Sequence, residues 1–187
     1  SLAKKVDGVV TPLGEPQAFQ VVPLGASTLG EADRAAVLAF SKKTARVQRA
    51  ALGAQGAAKE AKDRLDHLEK AFLETPAAPA ELFGEVRRLK LALADLDVAL
   101  NGDSTLGKRN EPALPGFVDR VQNVVYAHWS TTAAPTATQE KEVETAAAGI
   151  GQALETLRAV DRDLDALEAK AEALGAPWTP GRIPELR

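Results

Sequence analysis

The stretch VLAFSKKTARVQRAALGAQGAAKEAKDRLDHLEKAF, residues 37–72, carries a repeat that only one kind of element can use. Val37, Phe40, Thr44, Val47, Ala51, Ala54, Ala58, Ala61, Leu65, Leu68 and Phe72 follow one another in alternating steps of three and four. At roughly 3.6 residues per turn this spacing keeps one apolar stripe on one face of a helix, which a strand with its period of two cannot do. Upstream, Thr28 and Glu31 have the spacing of a capping box, in which hydroxyl and carboxylate satisfy otherwise unpaired amides, so the helix is expected to begin there. It ends before Pro76. Its middle is short of bulk: Ala50, Ala51, Gly53, Ala54, Gly56, Ala57 and Ala58 permit close approach of a neighbouring helix. Each glycine there weakens the helix by roughly 1 kcal/mol, so a kink is expected in the strip.

Working outward, a second helix is predicted with Pro79 in its first turn and Leu82, Val86, Leu89, Leu93, Leu96 and Leu100 buried, stopped by Asn101-Gly102. Residues 103–115 are polar and punctuated by Pro and Gly, and are read as a long loop with neither strand nor helix. A third, shorter helix covers about 116–129, with Phe117, Val121, Val124 or Val125, and His128 on its apolar side, and ends in Ser130-Thr131-Thr132. Thr136 or Thr138 caps a fourth, whose Val143, Ala147, Ile150, Leu154, Leu157, Leu164, Ala171 and Leu174 recur at helical spacing until Gly175 and Pro177. The fold class is therefore all-α, an antiparallel up-and-down bundle of about four helices over residues 28–187. Residues 1–27 form an extended arm, in which the strand-like runs Val9-Val10 and Phe19-Gln20-Val21-Val22 alternate with Pro12, Gly14, Pro16, Pro23 and Gly25. Two such pieces do not fold alone in water, so they are expected to pair with a neighbouring domain or lie along the bundle.

At 187 residues, 45% hydrophobic and 26% charged, the chain is long enough for a real core. A net charge of −3 leaves no excess of Lys or Arg to neutralise phosphates, so nucleic acid is not an expected partner. Charges interrupt every apolar run well short of the roughly 18 residues a membrane span needs. With no Cys there is no disulfide, thiolate metal site or cysteine nucleophile, and with no Met the chain is read as a processed or excised piece of a longer protein.

Chemistry is hard to place. Asp161, Asp163 and Asp165 invite a metal or acid/base reading, yet at about 100° per residue Asp163 points away from the other two, while Arg158 and Arg162 are positioned to pair with their neighbours. An ion-paired, solvated face is expected, and the same holds for Asp95 and Asp97. His67 and His128 lie on different helices without HxxxH or HExxH spacing, so no metal or other cofactor is expected, and His128 is assigned to helix-end packing. No GxSxG elbow and no phosphate loop occurs. The best candidate ligand-binding surface combines the loop residues Asp103, Arg109, Asn110 and Glu111 with Trp129 and Trp178, because sugar and peptide binders need flat apolar rings beside directional polar groups. The competing account is structural: the loop satisfies its own backbone and Trp178 pins the C-terminal tail.

Three segments, Val6-Asp7-Gly8-Val9-Val10-Thr11-Pro12-Leu13-Gly14-Glu15-Pro16-Gln17, the Leu100-Asn101-Gly102-Asp103 and Arg109-Asn110-Glu111-Pro112 pair, and Gly175-Ala176-Pro177-Trp178-Thr179-Pro180-Gly181-Arg182, resemble one group of proteins. That group is the C-terminal region of large bacterial sortilin-like β-propeller proteins, often labelled glycosyl hydrolases. The resemblance implies a secreted or periplasmic protein with propeller blades upstream, then a sandwich-like module whose end is the arm, then this helical end. Its hydrolase label rests on the propeller, so it carries no catalytic residue onto this chain. Two functions follow as expectations. The first is a non-catalytic structural or interaction module whose partners are other domains of the same polypeptide, with the strip 50–58 packed against a helix or partner. The second is an accessory module that binds carbohydrate or peptide, with Trp129 or Trp178 exposed beside Arg109 and Asn110.

Overall fold

In a computed structural model of the chain, every residue is described except 23, 26–28, 130, 132 and 184–187. The chain forms two compact units, Ser1–Gly30 and Glu31–Arg187. The expected cap Thr28 and the helix stop at Ser130 and Thr132 lie outside the described residues.

The first unit holds an antiparallel hairpin of β1 (Ala3–Val6) and β2 (Val9–Pro12), with Val6 opposite Val9 and Ala3 opposite Pro12. The turn is Asp7-Gly8, with φ of 49° and 83°, the pair of positive values that matches the twist of a two-residue hairpin. Val9-Val10 thus pairs within the arm, with a strand the hydrophobic runs did not mark. Phe19-Gln20-Val21-Val22, expected to be strand-like, is irregular, with no ladder partner among the described residues.

The second unit is all-α, comprising α1 (Glu31–Leu73), α2 (Ala80–Asn101), the single turn α3 (Ser104–Lys108), α4 (Phe117–Trp129) and α5 (Ala137–Ala173). Pro79 is the N-cap of α2 rather than a residue of its first turn. The α5 N-terminus is a capping box, Thr136 Oγ1 accepting from the Gln139 amide at 3.3 Å and Gln139 Oε1 from the Thr136 amide at 2.9 Å. Its C-terminus closes with Gly175 at φ 67°, whose amide donates to Glu172 O, while the Ala176 amide donates to Ala171 O.

Side-chain pairs fix the directions. Lys90 bonds Glu69 and Gln55 bonds Asn101, so α2 is antiparallel to α1; Gln48 bonds Gln122 and the Phe40 and His128 rings meet, so α4 is antiparallel too. Lys43 pairs with Glu144 and Arg64 with Asp165, so α5 runs parallel to α1. The chain therefore descends α1, ascends α2 and α4 in tandem, and descends α5. Laid end to end, α2 and α4, about 33 Å and 20 Å at ~1.5 Å per residue, approach the ~55 Å of α5. The junction is made by Gly116, buried against the end of α2, where a Cβ would overlap the Leu100 carbonyl and the Gly102 amide.

The six expected core positions of α2 are all buried, and every member of the α1 stripe is buried or half-buried. Along α5 the buried line is Val143, Ala146, Ile150, Ala153, Leu157, Val160, Leu164, Leu167 and Ala171. Ala147, Leu154 and Leu174, read as core, flank it half-buried. In the strip 50–58, Ala51 and Ala54 are 1% exposed and packed in the core, while Gly53 and Gly56 face open space.

Candidate functional site

The loop between α2 and α4 leaves and re-enters the bundle at nearly one point, since Gly116 meets Leu100 and Gly102. It is a compact excursion of the Ω type rather than a spacer. Contrary to the loop-only reading, it contains α3: Asp103 Oδ1 accepts from the Thr105 amide at 2.8 Å and from its hydroxyl at 2.6 Å, which caps one helical turn. These hydrogen bonds, the hydroxyl's foremost, hold the Asp103 carboxyl below its ordinary pKa. Arg109 ends the turn, Asn110 takes a left-handed φ of 56°, and Glu111 lies 3.9 Å from Arg109; all three are exposed. Asp103 thus serves the loop's own backbone, and Asn110 supplies its left-handed turn.

Trp129 ends α4 with its side chain 82% exposed. Beside it, the His128 ring packs tilted against Phe40 with centroids 5.1 Å apart, and its Nε2 lies 3.0 Å from Gln139 Oε1, the oxygen that also caps α5. Trp178 follows α5, 57% exposed, its indole N–H donating to Arg182 O at 2.6 Å. The tail is anchored by its neighbours: Thr179 is 3% exposed, and Arg182 reaches Thr179 Oγ1, Pro177 O and Glu172.

The six candidate residues do not share a site. Trp129 sits by the start of α5 and Trp178 just past its end, on the order of 50 Å apart, and the loop is separated from Trp129 by the ~20 Å length of α4. Neither indole lies beside Arg109 and Asn110.

The acidic face of α5 is ion-paired by other partners than expected. Arg64 of α1 reaches Asp161 at 2.8 Å, Asp165 at 2.8 Å and Glu168 at 3.0 Å, and Arg88 of α2 reaches Asp163 at 2.8 Å. Arg158 pairs with Glu155 instead. The Glu168 hydrogen bond is the main cause that raises the Arg64 pKa, against the burial that lowers it. Between α1 and α2, Lys90 joins Asp66 and Glu69; the Lys90 hydrogen bond is the largest influence lowering the Asp66 pKa. Asp97 accepts from Asn101. Exposed His67 lines a shallow recess with Arg64, Pro180 and Gly181. Among the described residues no group of three or more His, Cys, Asp or Glu side chains is placed to hold a metal ion, and no helix is long and apolar enough to cross a membrane.

Sequence reasoning passed over one concave site. Phe40, Ser41, Thr44, Ala45 and Gln48 of α1 and Val124, Val125, His128 and Trp129 of α4 line a cleft of about 230 Å³. Thr44 is 5% exposed, and its Oγ1 is the buried side-chain polar atom left without a hydrogen-bond partner among the described residues. The available signal was a hydroxyl at a core position of the α1 stripe. No protein-family model matches this chain, and neither do any curated proteins or solved structures.

Proposed function

We propose that this chain is a non-catalytic structural or interaction module at the C-terminal end of a larger secreted protein of the sortilin-like β-propeller kind, with other domains of the same polypeptide as its partners. The observation that carries this reading is the hairpin. Cross-strand partners share a face, so Val6 and Val9 lie on the face that also holds Lys4 and Thr11, and Leu2 and Leu13, joined by a 2.9 Å backbone bond, extend it. Those four apolar side chains are 54–71% exposed. A lone two-stranded hairpin is at best marginally stable in water, so it gains its stability from further strands or an apolar cover. A sandwich module ahead of the bundle supplies both. The charged clusters of the bundle support the same reading, since Arg64, Arg88 and Lys90 each tie one helix to another through their carboxylate partners.

Amide hydrogen exchange tests it. In this chain the amides of β1 and β2 are expected to exchange fast, and in the parent polypeptide, with the preceding segment present, to be protected at least a hundredfold more. Equal rates in both would sink the reading. A second reading, an accessory module for carbohydrate or peptide, draws on exposed Trp129 alone, because the loop residues and Trp178 lie elsewhere.

A further inference from the structure

The cleft between α1 and α4 has features that the docking role of the hairpin does not use. None of its nine lining residues is Asp, Glu, Lys or Arg, in a chain that is 26% charged. Its polar groups are largely committed: Gln48 donates to Gln122 at 3.0 Å, and His128 bonds Gln139. Among its polar atoms the Thr44 hydroxyl stands apart, shut from water and unpartnered, beside the exposed hydroxyl-bearing Ser41. A buried hydroxyl without a partner is destabilising, and threonine in a helix has two accessible χ1 rotamers, so Oγ1 can turn toward a group that enters. Phe40 and Val124 form the apolar wall, and the Trp129 indole stands at the mouth with most of its surface in solvent.

We infer that this cleft binds one neutral aromatic ring bearing a single hydrogen-bonding group, that is, a phenol, with the ring against Phe40, Val124 and the Trp129 indole and its hydroxyl on Thr44. Volume and chemistry select this class. At about 230 Å³ the cleft lies below the roughly 300–1,000 Å³ of sites for drug-sized ligands, so it takes one ring. A sugar has a hydroxyl on nearly every carbon and would leave most of them unmatched here, which is costly once they are desolvated. An ionised ligand would find no counter-charge. The Trp129 face supplies ring stacking at little ordering cost. A free phenolic compound and the tyrosine side chain of a peptide present the same chemistry.

The test is an NMR titration of the whole chain with p-cresol, toluene and N-acetyltyrosinamide, following backbone amides of residues 40–48 and 124–129. Saturable shifts confined to those residues are expected with p-cresol, and weaker ones with toluene. Thr44→Val keeps the shape and removes the hydroxyl, so it should weaken p-cresol roughly three- to tenfold and leave toluene unchanged. Its melting temperature should not fall, because an unpaired buried hydroxyl is lost. Trp129→Ala changes an exposed residue and should weaken both ligands whatever Thr44→Val does to folding. Tighter binding of N-acetyltyrosinamide than of p-cresol assigns the ligand to a peptide, and the reverse order to a free phenol. Absence of saturation, equal affinity of toluene and p-cresol, or affinities untouched by Trp129→Ala would overturn the site.

Discussion

Glycines that look alike in the sequence do opposite work in the bundle. Gly116 lies where α4 starts against the end of α2, and any Cβ there would meet the backbone of Leu100 and Gly102, which cannot rotate aside as a side chain could. Gly149 accepts the Phe117 ring on its bare face, so its neighbour is a side chain with some freedom to yield. Gly56, within α1, has open space where a Cβ would go, so it carries the helix-propensity penalty with no packing return inside the unit. Gly116→Ala is expected to destabilise by about 2 kcal/mol or more, and Gly56→Ala to stabilise by about 1 kcal/mol. Urea denaturation measures both. A stabilising Gly116→Ala, or a destabilising Gly56→Ala, would contradict the placement of α4 on α2 or the open face of α1. Thr44 makes the same point from the polar side: its position in the apolar stripe was legible, but its lack of a partner depends on α4, which the sequence of α1 does not describe.

Between elements, the arginine at the α1–α5 seam outranks the others. Arg64, with its side chain 21% exposed, holds three carboxylates of α5, of which Glu168 is 15% exposed. Arg88, 61% exposed, holds Asp163 alone. Charge-assisted hydrogen bonds at partly buried sites contribute roughly 1.5–3 kcal/mol, exposed pairs about 0–1. Arg64→Ala is therefore expected to cost about 2 kcal/mol and Arg88→Ala under about 1 kcal/mol, by thermal or urea unfolding, and equal losses would refute the ranking. The acidic face of α5 was legible as ion-paired, but its partners were sought three or four residues away because only those are visible in one sequence. The stripes of α1 and α2 could be read because Leu, Val and Phe mark them. That of α5 drifted toward Ala147 and Leu154 because Ala146 and Ala153, which are buried, look no different from any other alanine. The hairpin was announced by Asp7-Gly8 between valines, a local signal that hydrophobic runs alone pass over. Trp129, Trp178 and the loop were grouped by residue type, and nothing local reveals that α4 and α5 hold them apart.

Across the whole helical unit, apolar burial is uneven. One large cluster joins α1 from Ala51 to Phe72, all of the α2 stripe, and α5 from Ala146 to Ala171, with Val118 and Val121 of α4. Beyond it, toward the start of α1, a second cluster contains only Phe40, Val124 and Val143 as buried members, with Val47 packed beside it. At roughly 25 cal/mol per Å² the larger cluster supplies most of the hydrophobic stabilisation, and local opening follows the regions with least of it. The two tryptophan-bearing ends differ accordingly: Trp129 borders the small cluster, while the Trp178 tail is tied to the last turn of α5, where Ala171 belongs to the large one. The Phe40 end should therefore open on its own while the rest stays folded. In native-state hydrogen exchange, amides of residues 40–48, 124–128 and 140–144 are expected to exchange at least tenfold faster than those of 61–72, 86–100 and 157–171. Uniform protection along α1 would mean that Phe40, Val124 and Val143 belong to one cooperative core with Leu65 and Leu164. If the gradient is found, p-cresol should slow exchange at the Phe40 end alone, because a ligand that fills the cleft adds apolar contact where the bundle has least.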